Sequence, residues 1–154
     1  MYLLGIVIFL LGISSAAVLK GFPVQILWNP AAIILHLTSI VAVLTATNGF
    51  SAFWHGLKAA ILPNADISDD MRGRAASLFR LLSKTAILVS LLGLFIAVMS
   101  MLAQLDDASM VGHTLANALL MPLYGLFLIA AVFEPAVVVL KKRQSPERRI
   151  KQKD

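Results

Sequence analysis

The residues of this chain able to hold a proton or a ligand are few, and most lie inside long apolar runs. His113, Asn117 and Tyr124 are spaced so that they share one helical face, with Glu134 about 60° away from it. An earlier run places His36 and Thr47 on one face, with Ser39 nearby. Polar groups that share a face in lipid turn inward, toward other helices or a water-filled path. The histidines raise three kinds of chemistry: metal binding, proton relay and interhelical hydrogen bonding. No carboxylate lies at ligand spacing from either, which favours hydrogen bonding. The absence of cysteine excludes disulfides, thiolate metal sites and cysteine nucleophiles. No Ser/His/Asp or zinc constellation points to a hydrolase. The expectation is therefore no metal, no cofactor and no enzymatic activity.

The elements that position these groups follow from composition. Hydrophobic residues make up 59% of the 154 and charged residues 14%, a balance outside that of soluble domains. The reading is an all-α integral membrane protein, a single membrane domain with no room for a soluble catalytic unit. Four apolar stretches are expected to form two helical hairpins, with spans at about 2–19, 24–47, 84–104 and 112–134. A connection at 48–83 joins the hairpins, and a basic tail occupies 141–154. No period-two alternation is sustained, which argues against a membrane β-barrel. Ser14-Ser-Ala-Ala17 resembles a cleavage site, but no basic residue precedes the first run, so an uncleaved helix is favoured over a signal peptide.

Charge sets the orientation. Asp106 and Asp107 occupy the last short loop, whereas Lys58, Arg72, Arg74, Arg80 and Lys84 crowd the connection and seven more cations follow Leu140. The positive-inside rule then places the connection, the tail and the N-terminus in the cytoplasm. The formal charge of +5 lies beside apolar runs, which fits a bilayer partner and not nucleic acid.

Within the connection, Asn48 reads as an N-cap for an amphipathic helix carrying Phe50, Phe53, Trp54, Leu57, Ile61 and Leu62, with Ser51, His55 and Lys58 on other faces. That helix suits the inner membrane interface or an extension of span two, and a docking role for a cytoplasmic partner is the functional alternative. Residues 64–70 (NADISDD) read as a solvated turn with helix-capping aspartates; their spacing matches no calcium loop.

Span three carries small residues at Ala86, Ser90, Gly93, Ala97 and Ser100, a face that admits another helix backbone. Packing against span four is favoured over a subunit interface. Glu134 invites a proton-carrier reading, yet depth argues for another role. A helix from Gly112 to Leu140 would be about 43 Å long against a hydrocarbon core of about 30 Å, so Glu134 falls near the inner headgroups. Lys84 lies at about the same depth in an antiparallel hairpin, and an ion pair of Lys84 with Glu134 that sets the hairpin register is the favoured expectation.

Several stretches, in order, carry a family resemblance. Residues 20–32 (KGFPVQILWNPAA) are similar to a short glycine-containing periplasmic loop followed by an aromatic-x-Pro-Ala helix start, and 53–62 to the basic amphipathic stretch after it. Residues 107–125 (DASMVGHTLANALLMPLYG) resemble an acidic loop, an alanine-leucine run and a Tyr-Gly pair, and 133–142 (FEPAVVVLKK) a proline-bearing inner end. Together they resemble the MotA/TolQ/ExbB proton channel family, most closely its MotA-type flagellar stator subunits. The resemblance implies an inner-membrane channel-wall subunit in a homo-oligomer, pentameric by analogy, around a single-span MotB-like partner that supplies the proton-carrying carboxylate. It implies channel- or partner-facing roles for Pro135, Tyr124, Pro122, Asn117, Ser90, Gly93 and Ala97. The chain departs from the pattern in lacking the large cytoplasmic region between spans two and three. The family's span-three proline falls near Ala86 or Ile87, and its pathway threonines fall near Leu94 and at Pro122. These departures support a second expectation, a structural or accessory membrane protein that keeps the fold without conducting ions.

Overall fold

The computed structural model describes residues 2–19, 21, 28–62, 67–103 and 108–142. Among them all regular structure is helical: α1 (Tyr2–Leu19), α2 (Pro30–Ala46), α3 (Phe50–Ile61), α4 (Asp69–Leu102), α5 (Ala108–Phe127), a π-helical segment (Leu128–Phe133) and α6 (Glu134–Lys142). The expected turn at Lys20–Pro23, the aspartate loop at Asp106 and Asp107, and the basic tail beyond Lys142 lie wholly or largely outside the described residues.

Local chemistry explains where the helices begin and end. The Oδ1 of Asn29 accepts the Ala32 N–H at 3.1 Å, and Pro30 occupies the first helical position, where its missing N–H is harmless; α2 therefore starts at Pro30 and not at Val24. Asn48 is not an N-cap. Its φ of 49° puts it in the left-handed region that asparagine tolerates, and it turns the chain sharply between α2 and α3. Gly49 is the residue flanking α3, without a side-chain cap. The bend between α2 and α3 is 116°, so α3 does not continue α2 in a straight line. Ser68, and not an aspartate, caps α4 through Met71 N–H at 3.3 Å. Asp69 and Asp70 sit in the first turn, where carboxylates favour the helix dipole, and pair with Arg72 and Arg74 one turn on.

The π segment has a covalent cause. Pro135 has no N–H and its ring would strike the carbonyl one α-turn earlier, so the helix widens ahead of it; the Glu134 N–H reaches Ile129 O, five residues back. This widening resets the helical phase between Tyr124 and Glu134, so the 60° offset expected for an uninterrupted helix does not hold.

By length and composition, α4 and the continuous stretch Thr114–Lys142 can each cross a membrane, and the bent α2–α3 pair together passes the same test. The apolar part of α1, Leu4–Ser15, is shorter. Within the connection expected at 48–83 lie α3 and the first turns of α4. Helix α4 runs unbroken for 34 residues, about 51 Å, and its first half packs with α3 and α6. There lies the densest core, with Ala59, Ala75, Phe79, Leu82, Phe133, Ala136 and Leu140 all nearly inaccessible. Phe79 is the hub, its ring 5.5 Å from Phe53 and 6.2 Å from Phe133. Trp54 and Phe50 on the opposite side of α3 are exposed.

Gly56 permits this docking: a Cβ there would meet Ala75 Cβ at 2.6 Å and the Phe79 ring at 2.9 Å. Gly56→Val is expected to destabilise the detergent-solubilised protein by about 1–3 kcal/mol through overpacking. Gly12→Ala, where nothing lies within 4 Å, should leave the melting temperature unchanged or slightly raised. Equal melting temperatures for Gly56→Val and the parent protein would refute the α3–α4 contact.

Candidate functional site

Helix α4 presents Ala75, Phe79, Leu82, Ala86, Ser90 and Gly93 along one buried face. Over its second half that face meets α2 and α5 at a small polar cluster. His36, 3% exposed, has Nδ1 at 2.8 Å from Ala32 O and Nε2 at 3.1 Å from Ser90 Oγ. Because a carbonyl only accepts, Nδ1 carries a hydrogen. Ser90 Oγ lies 2.7 Å from Ala86 O, to which its hydroxyl donates. The Tyr124 ring is 6.4 Å from the His36 ring, tilted by 38°, and its hydroxyl accepts the Asn29 N–H at 3.3 Å. One interhelical contact thus joins α2 to α4, and another joins α5 to the start of α2.

The cluster depends on glycine. A Cβ at Gly125 would collide with Ser90 Oγ and stand 3.0 Å from Ala86 O, so only glycine lets α5 approach α4 with the hydroxyl in place. Gly93 is enclosed in the same way by Leu35 and Met121. Ser90 and Gly93 therefore pack within the chain and are not open to a partner. Farther along the stripe, Ala97 is half-buried and Ser100 exposed.

Asn117 and Pro122 are half-buried on α5, where Pro122 removes the N–H that would close onto the Ala118 carbonyl. The His113 side chain lies outside the described residues. Pro135 and Glu134 line an apolar groove of about 550 Å³ between α1 and the junction of the π segment with α6, together with Gly5, Phe9 and Ala131. The expected Lys84–Glu134 ion pair does not form within the chain. Both side chains are exposed, because Lys84 follows Ser83 off the buried face of α4 and Glu134 opens the outward side of α6. No group of three or more metal-ligating side chains occurs among the described residues.

Sequence reasoning singled out His36 and Ser90 separately and did not join them. They lie 54 positions apart, and the signal that could have linked them is a polar residue on each of two apolar helices, opposite a glycine on a third. Gly125→Ala is expected to cost about 1–3 kcal/mol, since Ser90 and the Ala86 carbonyl cannot both yield. Adding Ser90→Gly should recover part of the loss in the same thermal melt, and strict additivity of the two changes would count against direct contact.

Comparison with known proteins agrees with this architecture. A family model described as the MotA/TolQ/ExbB proton channel family matches residues 56–153, from within α3 through α6 and beyond. The chemotaxis protein PomA of Vibrio alginolyticus is 29% identical over 91 residues, a stretch covering 59% of this chain and 36% of that relative. The chain thus aligns with little more than a third of PomA's length. The matched region contains the buried face of α4, the Tyr124–Gly125 pair and the π-to-Pro135 transition, and on that match the chain belongs to the MotA/TolQ/ExbB proton channel family.

Proposed function

We propose that this protein is a MotA-like, multi-pass inner-membrane subunit of a proton-driven stator-type complex, in which several copies surround a single-span MotB-like partner. The observation that carries the reading is the uncovered apolar surface of α4. Only 17% of its most apolar 18-residue window is buried, and Leu88, Leu91, Leu92, Phe95, Ile96 and Met99 face outward. Lipid covers part of such a surface, and neighbouring helices of a symmetric ring cover the rest. The proton-carrying carboxylate belongs to the partner in this scheme, in keeping with apolar spans in which Glu134 sits at the inner end. The cationic connection and tail orient both termini toward the cytoplasm. Pro135, Tyr124, Pro122, Asn117 and Ala97 are the residues proposed to face the channel or the partner. The stability of the hairpin rests on α4 and α5 packing, without an internal Lys84–Glu134 pair.

A non-conducting accessory role is the second reading, and Leu94 and Pro122 favour it, since they stand where the family resemblance places pathway threonines. The connection between α2 and α4 is too short to hold a large cytoplasmic region, so rotor engagement by that route is not part of the proposal.

Intact-complex mass measurement after mild solubilisation tests the assignment. A ring of identical chains, pentameric by family analogy, with a co-purifying single-span membrane protein bearing an aspartate is the expected result. A monomer without partner would sink it. Proton flux into vesicles containing the complex separates the two readings: flux abolished by an Asp→Asn change in the partner supports the channel, and no flux from a properly assembled ring supports the accessory role.

A further inference from the structure

Three charged side chains stand exposed beside apolar surface: Arg80 and Lys84, one turn apart on α4, and Glu134 at the start of α6. Among the described residues none of the three makes a side-chain hydrogen bond or an ion pair, whereas Arg72 and Arg74 of the same α4 are paired with Asp69 and Asp70. Their position makes this costly. No Asp, Glu, Lys or Arg occurs between Thr85 and Leu102 of α4 or between Ala108 and Phe133, so Lys84 and Glu134 are the charges nearest the apolar interior of their spans. Glu134 is eight residues before Lys142, about 12 Å along the helix and on the apolar side of that basic end. A carboxylate so placed calls for a cation.

The contacts of the second hairpin fix the level of that carboxylate. The rings of Phe79 and Phe133 are 6.2 Å apart, and Gly125 lies against Ala86 and Ser90. Along the two antiparallel helices Glu134 is therefore about level with Arg80, and Lys84 is one turn deeper. The charges nevertheless belong to different sides of the molecule. Arg80 and Lys84 fall off the buried face of α4, on the side that carries Leu88 and Leu91. Glu134 lines the groove between α1 and the junction of the π segment with α6, and α1 packs on α3 and the π segment.

We propose that Arg80 of one copy binds Glu134 of the next copy in a ring, with the exposed side of α4 lying along the neighbour's groove between α1 and α6. The pairing rests on the assembly of identical chains proposed above. A ring joins two different patches of one chain, and rotation about an axis normal to the membrane keeps equal depths equal. Arg80 and Glu134 meet these conditions, being opposite in charge, level with one another and on separate faces. The planar guanidinium matches a carboxylate with two parallel hydrogen bonds, and Lys84 adds positive charge from one turn deeper on a flexible stem.

The apolar parts of the two patches also correspond. Beyond Lys84 the exposed side of α4 carries Leu88 and Leu91, and the groove, about 550 Å³, is walled by Ile6, Phe9, Ala130 and Val138. Leu88 lies between Ala86 and Ser90 in the chain, about level with Gly125 and close to the level of Phe9, whose ring is 6.0 Å from that of Phe127. A Cβ at Gly5 would meet nothing within 4 Å, so the α1 wall of the groove is open to an approaching helix.

Thiol crosslinking tests the pairing, because the chain has no cysteine of its own. Two differently tagged chains, one Arg80→Cys and the other Glu134→Cys, are co-expressed and the membranes treated with a short bis-maleimide. A mixed dimer is the expected product, and a chain carrying both changes should give a ladder of multimers. Met99→Cys with Glu134→Cys should give none, since Met99 is nineteen residues, about 28 Å, farther along α4 than Arg80. Charge reversal is the second measurement. Arg80→Glu or Glu134→Arg alone should lower the oligomeric fraction in mild detergent about tenfold by setting like charges against each other, and both reversals in one chain should restore it. Crosslinks only between like positions, a yield from Met99→Cys equal to that from Arg80→Cys, or a double reversal no better than either single change each overturn the proposal. An intact ring by mass without the mixed crosslink also overturns it, leaving Glu134 to lipid ammonium headgroups while the stator reading stands. Crosslinked rings that lack a single-span partner support the pairing and sink the stator reading alone.

Discussion

Close backbone approach along one face of α4 is the constraint on which the rest of the molecule depends. In lipid the hydrophobic effect does little to hold helix against helix, so contact must come from fitted surfaces and a few polar bonds. Helix α4 supplies both on a single stripe. At one end Ala75 receives Gly56 of α3; midway Phe79 and Leu82 form the aromatic and aliphatic hub; farther on Ser90 and Gly93 receive Gly125, Met121 and Leu35. Helices α2, α3, α5 and α6 and the π segment all pack on α4, whereas α1 touches α3 and the π segment. Bulky residues at Gly56 or Gly125 would push apart the helices that this stripe joins.

The prolines shape the second hairpin around that constraint. Pro122 and Pro135 each remove one helical N–H, and the chain answers the second with a π segment whose widened turn presents Phe133 to the core and leaves Glu134 outside. The widened turn thus meets the backbone demand of Pro135 while Glu134 stays exposed. His36, with Ser90 and Tyr124, forms a polar cluster close to the contact that joins α4 to α5.

The family and the membrane class were legible in the chain itself. Apolar runs of bilayer length, the Tyr124–Gly125 pair and the proline-bearing stretch before Lys141 resembled the MotA/TolQ/ExbB pattern, and the match over 56–153 bears out that family. The period of the small residues in span three also indicated a packed face, because three- and four-residue spacing translates directly into one side of a helix. Beyond Gly93 the same spacing was misleading. Ser100 continues the stripe in sequence but is exposed, since no helix of the described chain reaches across it.

Local chemistry thus determined what could be read in one dimension: apolar length, helix caps such as Asn29 and Ser68, the break imposed by proline, and the charge asymmetry of the ends. Tertiary structure decided what depends on two segments meeting. It made α3 and the first half of α4 part of the main core, because the chain bends by 116° between α2 and α3 and α3 packs on α4. It left both Lys84 and Glu134 exposed, because a count of residues along two helices says nothing of rotation about their axes. It joined His36 to Ser90 across 54 residues, since a hydrogen bond between helices is set by their relative rotation and approach, quantities that no spacing within either helix contains.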